Sequence, residues 1–270
     1  MNVTSSSNTA GITPGTPETS DEELGGMSLL DHVREIRDRL FRCALALVVG
    51  SMIGFAVYTP VLKILIQPYA GAVGDKIIVN SPTEALTNIF SVSLMIAAML
   101  ALPYILFQFL AFIMPGLYDH EKRSIYFGLP FGFVLFALGV VFAWFVMVPN
   151  GLAFLKSLGA DIFTPMWKAD EYIPFVTGLL FWMGAAFEMP LIMYLLARAN
   201  VITGSLLAKN WRYAIVIIAI VSAIITPTPD PINMGLVMAP LLVLYGISIL
   251  LAFVARRGKT IPAILDPDGK

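Results

Sequence analysis

Charged side chains are scarce in this chain of 270 residues: they make up 13% of it, whereas hydrophobic residues make up 58%. Soluble domains usually carry about 25% charged residues, and they have no use for so much apolar surface. The composition therefore predicts an integral membrane protein. The formal net charge of −1 gives no reason to expect a nucleic acid as partner.

Histidine and cysteine are also rare, which excludes several kinds of site. The only histidines are His32 and His120, and neither lies in an apolar run, which argues against haem ligation and an intramembrane serine–histidine protease. The single cysteine, Cys43, excludes an intramolecular disulfide. No nucleotide fingerprint or HExxH motif occurs, and no metal-binding spacing joins the histidines to the nearby Glu35 and Glu121. We expect no enzymatic activity, metal or cofactor.

Six apolar segments follow a polar N-terminus, and they predict an all-α polytopic membrane protein with six transmembrane helices. Because a helix needs about 20 residues to cross a bilayer, the fifth segment is short for a span. The first segment reaches that length only if Leu40 and Phe41 are counted. The segments are Cys43 to Tyr58, Ala85 to Met114, Ile125 to Val148, Ile173 to Ala197, Tyr213 to Ile225 and Ile232 to Val254.

The distribution of basic residues predicts that both termini are cytoplasmic. Of the 17 basic residues, only Lys63, Lys76, Lys156 and Lys168 fall on the side opposite the termini. Cytoplasmic segments carry the excess of Lys and Arg. We further expect a disordered tail over residues 1–26, a six-span domain over 27–257 and a cytoplasmic tail over 258–270. No signal peptide is apparent, and Met27, where the patterned sequence begins, is an alternative start.

The loops on the predicted outer side are long. They run from Thr59 to Glu84 and from Pro149 to Glu171, and they mix apolar and polar residues. We therefore expect them to fold against the membrane or against each other. No internal repeat relates the six segments, although inverted-repeat transporters have matched halves.

Two acidic residues lie in predicted cytoplasmic segments. Glu35 is part of LLDHVREIRDRL, residues 29–40, whose apolar residues recur at helical spacing. Glu121 is part of YDHEKR, between the second and third spans. Each has an ordinary interpretation, Glu35 as an i,i+4 ion-pair partner of Arg39 and Glu121 as a solvated loop acid. The alternative is that both bind a ligand.

Two further acids accompany prolines. Glu188 lies inside the fourth apolar run, where a charge costs about 2.5–3.5 kcal/mol on insertion scales. The structural alternative is a protonated carboxyl group in a dry site. Because of that cost, a functional role is favoured. Pro190 follows it and predicts a local kink. Asp230, in TPTPDP, is typical of a helix cap or turn, and its spacing alone assigns it no function.

The sequence resembles the TatC family, the polytopic receptor subunits of twin-arginine protein translocases. The resemblance runs from Ser28 to Arg257 and rests on HVREIRDRL, SPTEAL, YILFQFLAFIMPGLYDHEKR, FALGVVFAWFVMVP, GAAFEMP and TPTPDP, in the family's order. It implies six spans in a concave arrangement with cytoplasmic termini. The chain departs from the family at Trp144, where Tyr is common, and at Met234, where Gln is common and contacts the single-span partners.

The resemblance implies a function and a set of site residues. The protein would bind twin-arginine signal peptides of folded proteins for export driven by the proton-motive force. It would act in the inner membrane with TatA-like and TatB-like single-span subunits, and as a homo-oligomer within the complex. The alternative is a proton-coupled small-molecule transporter that uses Glu188. The implied peptide-binding residues are Glu35, Glu121, Arg37, Arg39, Leu40, Phe112 and Pro115. Among them, Arg37 and Arg39 would orient Glu35. Glu188 matches the family's intramembrane acid, and Pro68 and Asp230 are further matched positions.

Overall fold

The computed structural model describes residues 29–72, 77–113, 119–158, 160–162, 167–226 and 230–257, with only the backbone at some helix ends. The predicted tails, 1–26 and 258–270, lie outside these ranges. The described chain is helical apart from one isolated β-bridge. Its helices are α1 (Leu29–Ala72), α2 (Pro82–Ile113), α3 (Asp119–Phe142), α4 (Val148–Ser157), α5 (Ala169–Phe187), α6 (Met189–Arg198), α7 (Gly204–Lys209), α8 (Trp211–Ile225) and α9 (Pro231–Arg257).

Helix α1 is much longer than the predicted first span. Its 44 residues, at 1.5 Å per residue, extend over about 66 Å, against roughly 30 Å for a bilayer core. The charged stretch and the first span are thus one continuous helix. The prediction of a loop from Thr59 is wrong, because the helix continues through Pro60 and Pro68 to Ala72. Prolines are tolerated inside membrane helices, where neighbouring groups satisfy the freed carbonyls.

Two glycines set the packing of α1 against α2. A Cβ atom on Gly54 would lie 2.2 Å from the carbonyl oxygen of Ser93, and one on Gly50 would lie 3.0 Å from Cα of Ala97. Only glycine permits such an approach of two backbones. Small residues four positions apart on both helices are a common way to pack membrane helices, since the interface gains dispersion contacts.

Within the described part of the chain, five helical segments are long and apolar enough to cross a membrane, and α8 is a shorter apolar helix. The third of the five continues from α3 through a π-helical turn, Ala143–Met147, into α4. The predicted loop from Pro149 is therefore helical as far as Ser157. With 15 residues, α8 is only about 22 Å long. The short fifth apolar segment is thus a helix, as predicted.

The fourth span breaks at Glu188, as Pro190 predicts. Helix α5 ends at Phe187 and α6 begins at Met189, with Pro190 at its second position. Proline has no N–H with which to continue the helical ladder. The helical hydrogen bonding resumes at Ile192, whose amide donates to the carbonyl of Glu188 at 3.0 Å.

The segments that follow α1 and precede α5 contact each other, which is one of the two arrangements expected for the long loops. Ile78 and Lys168 form a parallel bridge, and the amide of Ala169 donates to the carbonyl of Ile78 at 3.0 Å. The hydroxyl of Tyr69 donates to the carbonyl of Trp167 at 3.1 Å. The buried Tyr172 likewise donates to Leu65 at 2.8 Å. These bonds connect α1 to α5.

Glu84 organises this junction. Its Oε2 accepts hydrogen bonds from the amides of Asn80 (2.7 Å) and Ser81 (3.3 Å), which is the backbone half of a capping box at the start of α2. Its Oε1 accepts from the amide of Asp170, 3.2 Å away in the first turn of α5. One carboxylate therefore caps two helix N-termini, where a negative charge is favoured.

Candidate functional site

Arg39 holds Glu35 in place within α1. Its Nη2 and Nε both donate to Oε1 of Glu35, at 2.6 and 2.9 Å. The pair is partly buried, since the two side chains keep 21% and 25% of their accessible surface. The predicted i,i+4 ion pair is therefore present. Because two donors converge on one oxygen, the carboxylate has a fixed orientation.

The same guanidinium reaches across to the C-terminal end of α2. Nη2 donates to the carbonyl of Ala111 at 3.1 Å, and Nη1 donates to Oε1 of Gln108 at the same distance. Gln108 is buried, and its amide donates to the hydroxyl of Tyr104 at 2.7 Å. The last carbonyls of a helix have no partners within it, and a cation there also complements the helix dipole. Arg39 thus ties Glu35 and α1 to the end of α2.

The neighbouring residues of α1 are more exposed. Arg37 donates two hydrogen bonds to Oδ1 of Asp38, at 2.8 and 2.9 Å, rather than to Glu35. Leu40 exposes 68% of its surface. Of the two arginines expected to orient Glu35, Arg39 alone is bonded to it in the described structure.

The second predicted acid lies just beyond α2. Phe112 is half-buried in the last turn of α2, and α3 begins at Asp119, so the backbone of Glu121 is in the first turn of α3. Pro115 and the side chain of Glu121 lie outside the described residues. The prediction that Glu121 shares a site with Glu35 stays a prediction.

Glu188 is buried at the break between α5 and α6. It is 2% exposed, and its Oε1 has no hydrogen-bond partner among the described residues. A Cβ atom added to Gly132 of α3 would lie 3.1 Å from Oε2, so that glycine provides the space for the carboxyl group. An unsatisfied buried oxygen is costly, which favours a function over a purely structural role.

The remaining family-matched positions lie elsewhere in the fold. Oδ1 of Asp230 accepts from the amide of Asn233 at 2.7 Å, so Asp230 caps α9 as its sequence context predicts. Pro68 is half-buried inside α1. Trp144 packs on the main core from the π-helical turn, and Met234 is half-buried in the first turn of α9. Among the residues described, no group of acids, His and Cys could hold a metal.

Sequence reasoning missed Gln108 and Tyr104, which extend the Arg39 network. The available signal was Gln108 itself, a polar residue inside an apolar span, because such residues usually bond within the protein. The spacing of Gly50 and Gly54 in the first span was likewise a readable signal for the α1–α2 contact.

Comparison with known proteins agrees with this architecture. Residues 31–240 match the family model described as Sec-independent protein translocase protein (TatC). The TatC protein of Aquifex aeolicus is 42% identical over 236 residues, which cover 86% of this chain and 98% of that protein. The TatC protein of Carboxydothermus hydrogenoformans is 36% identical over 226 residues, covering 84% and 93%.

A solved structure gives the same result. The crystal structure described as the twin arginine translocase receptor TatC superposes with a TM-score of 0.73 at 42% identity, covering 84% of this chain and 100% of that one. The all-α polytopic fold predicted from the sequence is thereby confirmed. The chain belongs to the TatC family and is a multi-pass membrane component of the Sec-independent, twin-arginine protein translocase.

Proposed function

We propose that this protein binds twin-arginine signal peptides of folded proteins at the end of the molecule that carries Glu35, and that it has no enzymatic activity. The observation that supports this most directly is the Arg39 network. It fixes the Glu35 carboxylate beside the last turn of α2, the helix that leads into the segment carrying Glu121. A preorganised carboxylate loses little freedom when it binds a cation.

The chemistry favours arginine as the recognised residue. A guanidinium is planar, permanently charged and able to bond a carboxylate through two N–H groups. Both bonds from Arg39 fall on Oε1 of Glu35, and a carboxylate has about four acceptor sites over its two oxygens. Oε2 would accept one substrate arginine, and Glu121 in the first turn of α3 would accept the other. A lysine ammonium has no such planar pair of N–H donors.

The orientation and assembly follow the basic residues and the family. Both termini lie in the cytoplasm and the chain sits in the inner membrane. It assembles with TatA-like and TatB-like single-span subunits and with further copies of itself. Energy for export comes from the proton-motive force, since no nucleotide-binding motif occurs in the sequence.

Glu188 and α8 supply the transport step of the proposal. Glu188 places a polar group deep in the fourth span, and α8 is about 8 Å shorter than a bilayer core of roughly 30 Å. A helix shorter than the bilayer thins it locally. Both features lower the barrier for a polar chain to enter the membrane beside the protein.

Photo-crosslinking of a twin-arginine peptide to the full chain in membrane vesicles tests this function, with a twin-lysine peptide as the matched control. We expect strong labelling by the first and weak labelling by the second. A Glu171→Gln variant, which removes an exposed acid in the first turn of α5, should label like the unmodified chain. Equal labelling by the two peptides would count against twin-arginine recognition.

A further inference from the structure

An open groove lies between α1, α2 and α3, next to the Arg39 network, with which it shares Tyr104. Its volume is about 450 Å³. Arg42, Ala46 and Gly50 line it from α1, and Tyr104 lines it from α2. Helices α1 and α2 run antiparallel, because Arg39 bonds Gln108 whereas Gly50, further along α1, lies against the earlier residue Ala97 of α2. This register places Arg42 level with Tyr104.

The two ends of the groove differ chemically. Most of the lining is apolar, as at Leu45, Ile53 and Phe133. Arg42 is exposed at the other end, and it makes no hydrogen bond or ion pair with any described residue. The hydroxyl of Tyr104 accepts a hydrogen bond from Gln108, so its own proton remains available to a ligand. The groove therefore presents two donors at one end of a hydrocarbon-lined slot.

The dimensions select the class of occupant. All the space between atoms in the groove, about 890 Å³, spread over the 11 residue steps from Arg42 to Ile53, about 16 Å, gives a mean cross-section of no more than about 55 Å². An α-helix, about 10–12 Å across with its side chains, needs roughly 80–110 Å². A single hydrocarbon chain, about 4–5 Å across at ordinary carbon contact distances, needs only about 13–20 Å².

We propose that the groove is a phospholipid site, in which an anionic headgroup bonds Arg42 and Tyr104 and one acyl chain lies along α1 towards Ile53. An arginine matches a phosphate as it matches a carboxylate, with a fork of N–H donors. Arg42 precedes the apolar part of α1, so it lies where a headgroup meets the hydrocarbon. The site is independent of the proposed peptide recognition, because it uses neither Glu35 nor Glu121.

Native mass spectrometry of the full chain in detergent, titrated with phosphatidylglycerol or phosphatidylcholine, tests the proposal. We expect one tightly held phosphatidylglycerol and at least tenfold weaker binding of phosphatidylcholine. Arg42→Gln should weaken phosphatidylglycerol binding about tenfold, whereas Arg212→Gln, which removes an arginine stacked on Trp211, should leave it unchanged. Equal affinities for the two lipids, or no effect of Arg42→Gln, would overturn the headgroup assignment.

Filling the slot tests where the acyl chain lies. Ala46→Phe and Val49→Trp should each abolish retention of the lipid, whereas Val48→Phe, on an exposed position that does not line the groove, should retain it. Two blocking variants are used so that a folding defect in one, detected by its thermal unfolding, leaves the other as the test. Retention in a folded blocking variant contradicts the proposal.

A photoreactive residue at Leu45, in the groove, distinguishes a lipid from a polypeptide occupant. In membrane vesicles that also contain a twin-arginine peptide, we expect it to capture phospholipid. Capture of that peptide in its place would show that the groove is part of the peptide site and would overturn the lipid assignment.

Discussion

Arg39 bonds one oxygen of Glu35 through two nitrogens, at 2.6 and 2.9 Å, while its Nη1 and Nη2 also reach Gln108 and Ala111 of α2. One side chain thus orients a carboxylate and joins two helices. The pair is more than an ordinary surface ion pair, which contributes about 0–1 kcal/mol, because it is partly buried and lies within a network. We regard Arg39 as a positioning residue for Glu35.

Arg39→Lys should weaken twin-arginine peptide binding about tenfold, although the positive charge is retained. Lysine cannot direct two donors to Glu35 and others to α2 from one planar group. Hydrogen bonds to charged groups contribute roughly 1.5–3 kcal/mol, so the midpoint of thermal unfolding should also fall. Arg212→Lys is the matched control, because Arg212 lies in α8 and stacks on Trp211. Equal peptide affinity in the two variants would contradict the positioning role.

Glu188→Ala should abolish most transport while leaving peptide binding intact. Glu188→Gln should retain much of the transport rate, because the account requires a polar group at depth rather than a proton carrier. Export of a reporter protein into vesicles measures both. Ser248→Ala is the control, since Ser248 is also fully buried but bonds its own helix at Leu244. A normal rate for Glu188→Ala would contradict this role, and complete loss for Glu188→Gln would show that the carboxyl group itself is needed, as a proton carrier would be.

Gly54→Ala should destabilise the protein more than Gly50→Ala. The added Cβ would meet the carbonyl oxygen of Ser93 at 2.2 Å, whereas at Gly50 the nearest atom would be 3.0 Å away. Forcing helices apart in a packed interface typically costs about 1–3 kcal/mol. Gly246→Ala should have little effect, because nothing lies within 4 Å of its added Cβ. Thermal unfolding in one detergent ranks the three variants, and an effect at Gly246 as large as that at Gly54 would refute the contact.

Glu84→Ala should loosen the junction between the two outer segments. It removes the acceptor for the amides of Asn80, Ser81 and Asp170, and so uncaps α2 and α5 together. We expect the midpoint of thermal unfolding to fall by a few degrees and amide exchange to increase at Asp170. Glu171→Ala, which removes an exposed acid from the same turn of α5, should change neither quantity. Unchanged exchange at Asp170 would show that the Glu84 bond contributes nothing.

Local patterns in the sequence predicted much of this fold. Long apolar runs located the spans, Pro190 located the break at Glu188, and the acid of TPTPDP was identified as a cap. The end of α1 could not be read in this way. Pro60 and Pro68 normally stop a helix in water, but inside a membrane protein the chain is forced to stay helical because exposed backbone groups are so costly there.

The candidate site was predictable in its residues but not in its connections. The i,i+4 spacing predicted the bond from Arg39 to Glu35, since it depends only on helix geometry. The bonds from Arg39 to Gln108 and Ala111 join positions about 70 residues apart. They depend on how closely α1 and α2 pack, which Gly50 and Gly54 determine and which no local pattern in α2 reveals.

Peptide binding by the double variant Glu35→Gln, Glu121→Gln is the decisive measurement for twin-arginine recognition by these two acids. The affinity of a fluorescent twin-arginine signal peptide for the full chain in nanodiscs would be compared with that of the unmodified chain. Asp161→Asn and Glu171→Gln together provide a control that removes two exposed acids elsewhere. We predict loss of binding in the first double variant, which should still assemble in the membrane, and normal binding in the second. Retained affinity in the Glu35→Gln, Glu121→Gln protein would contradict the account.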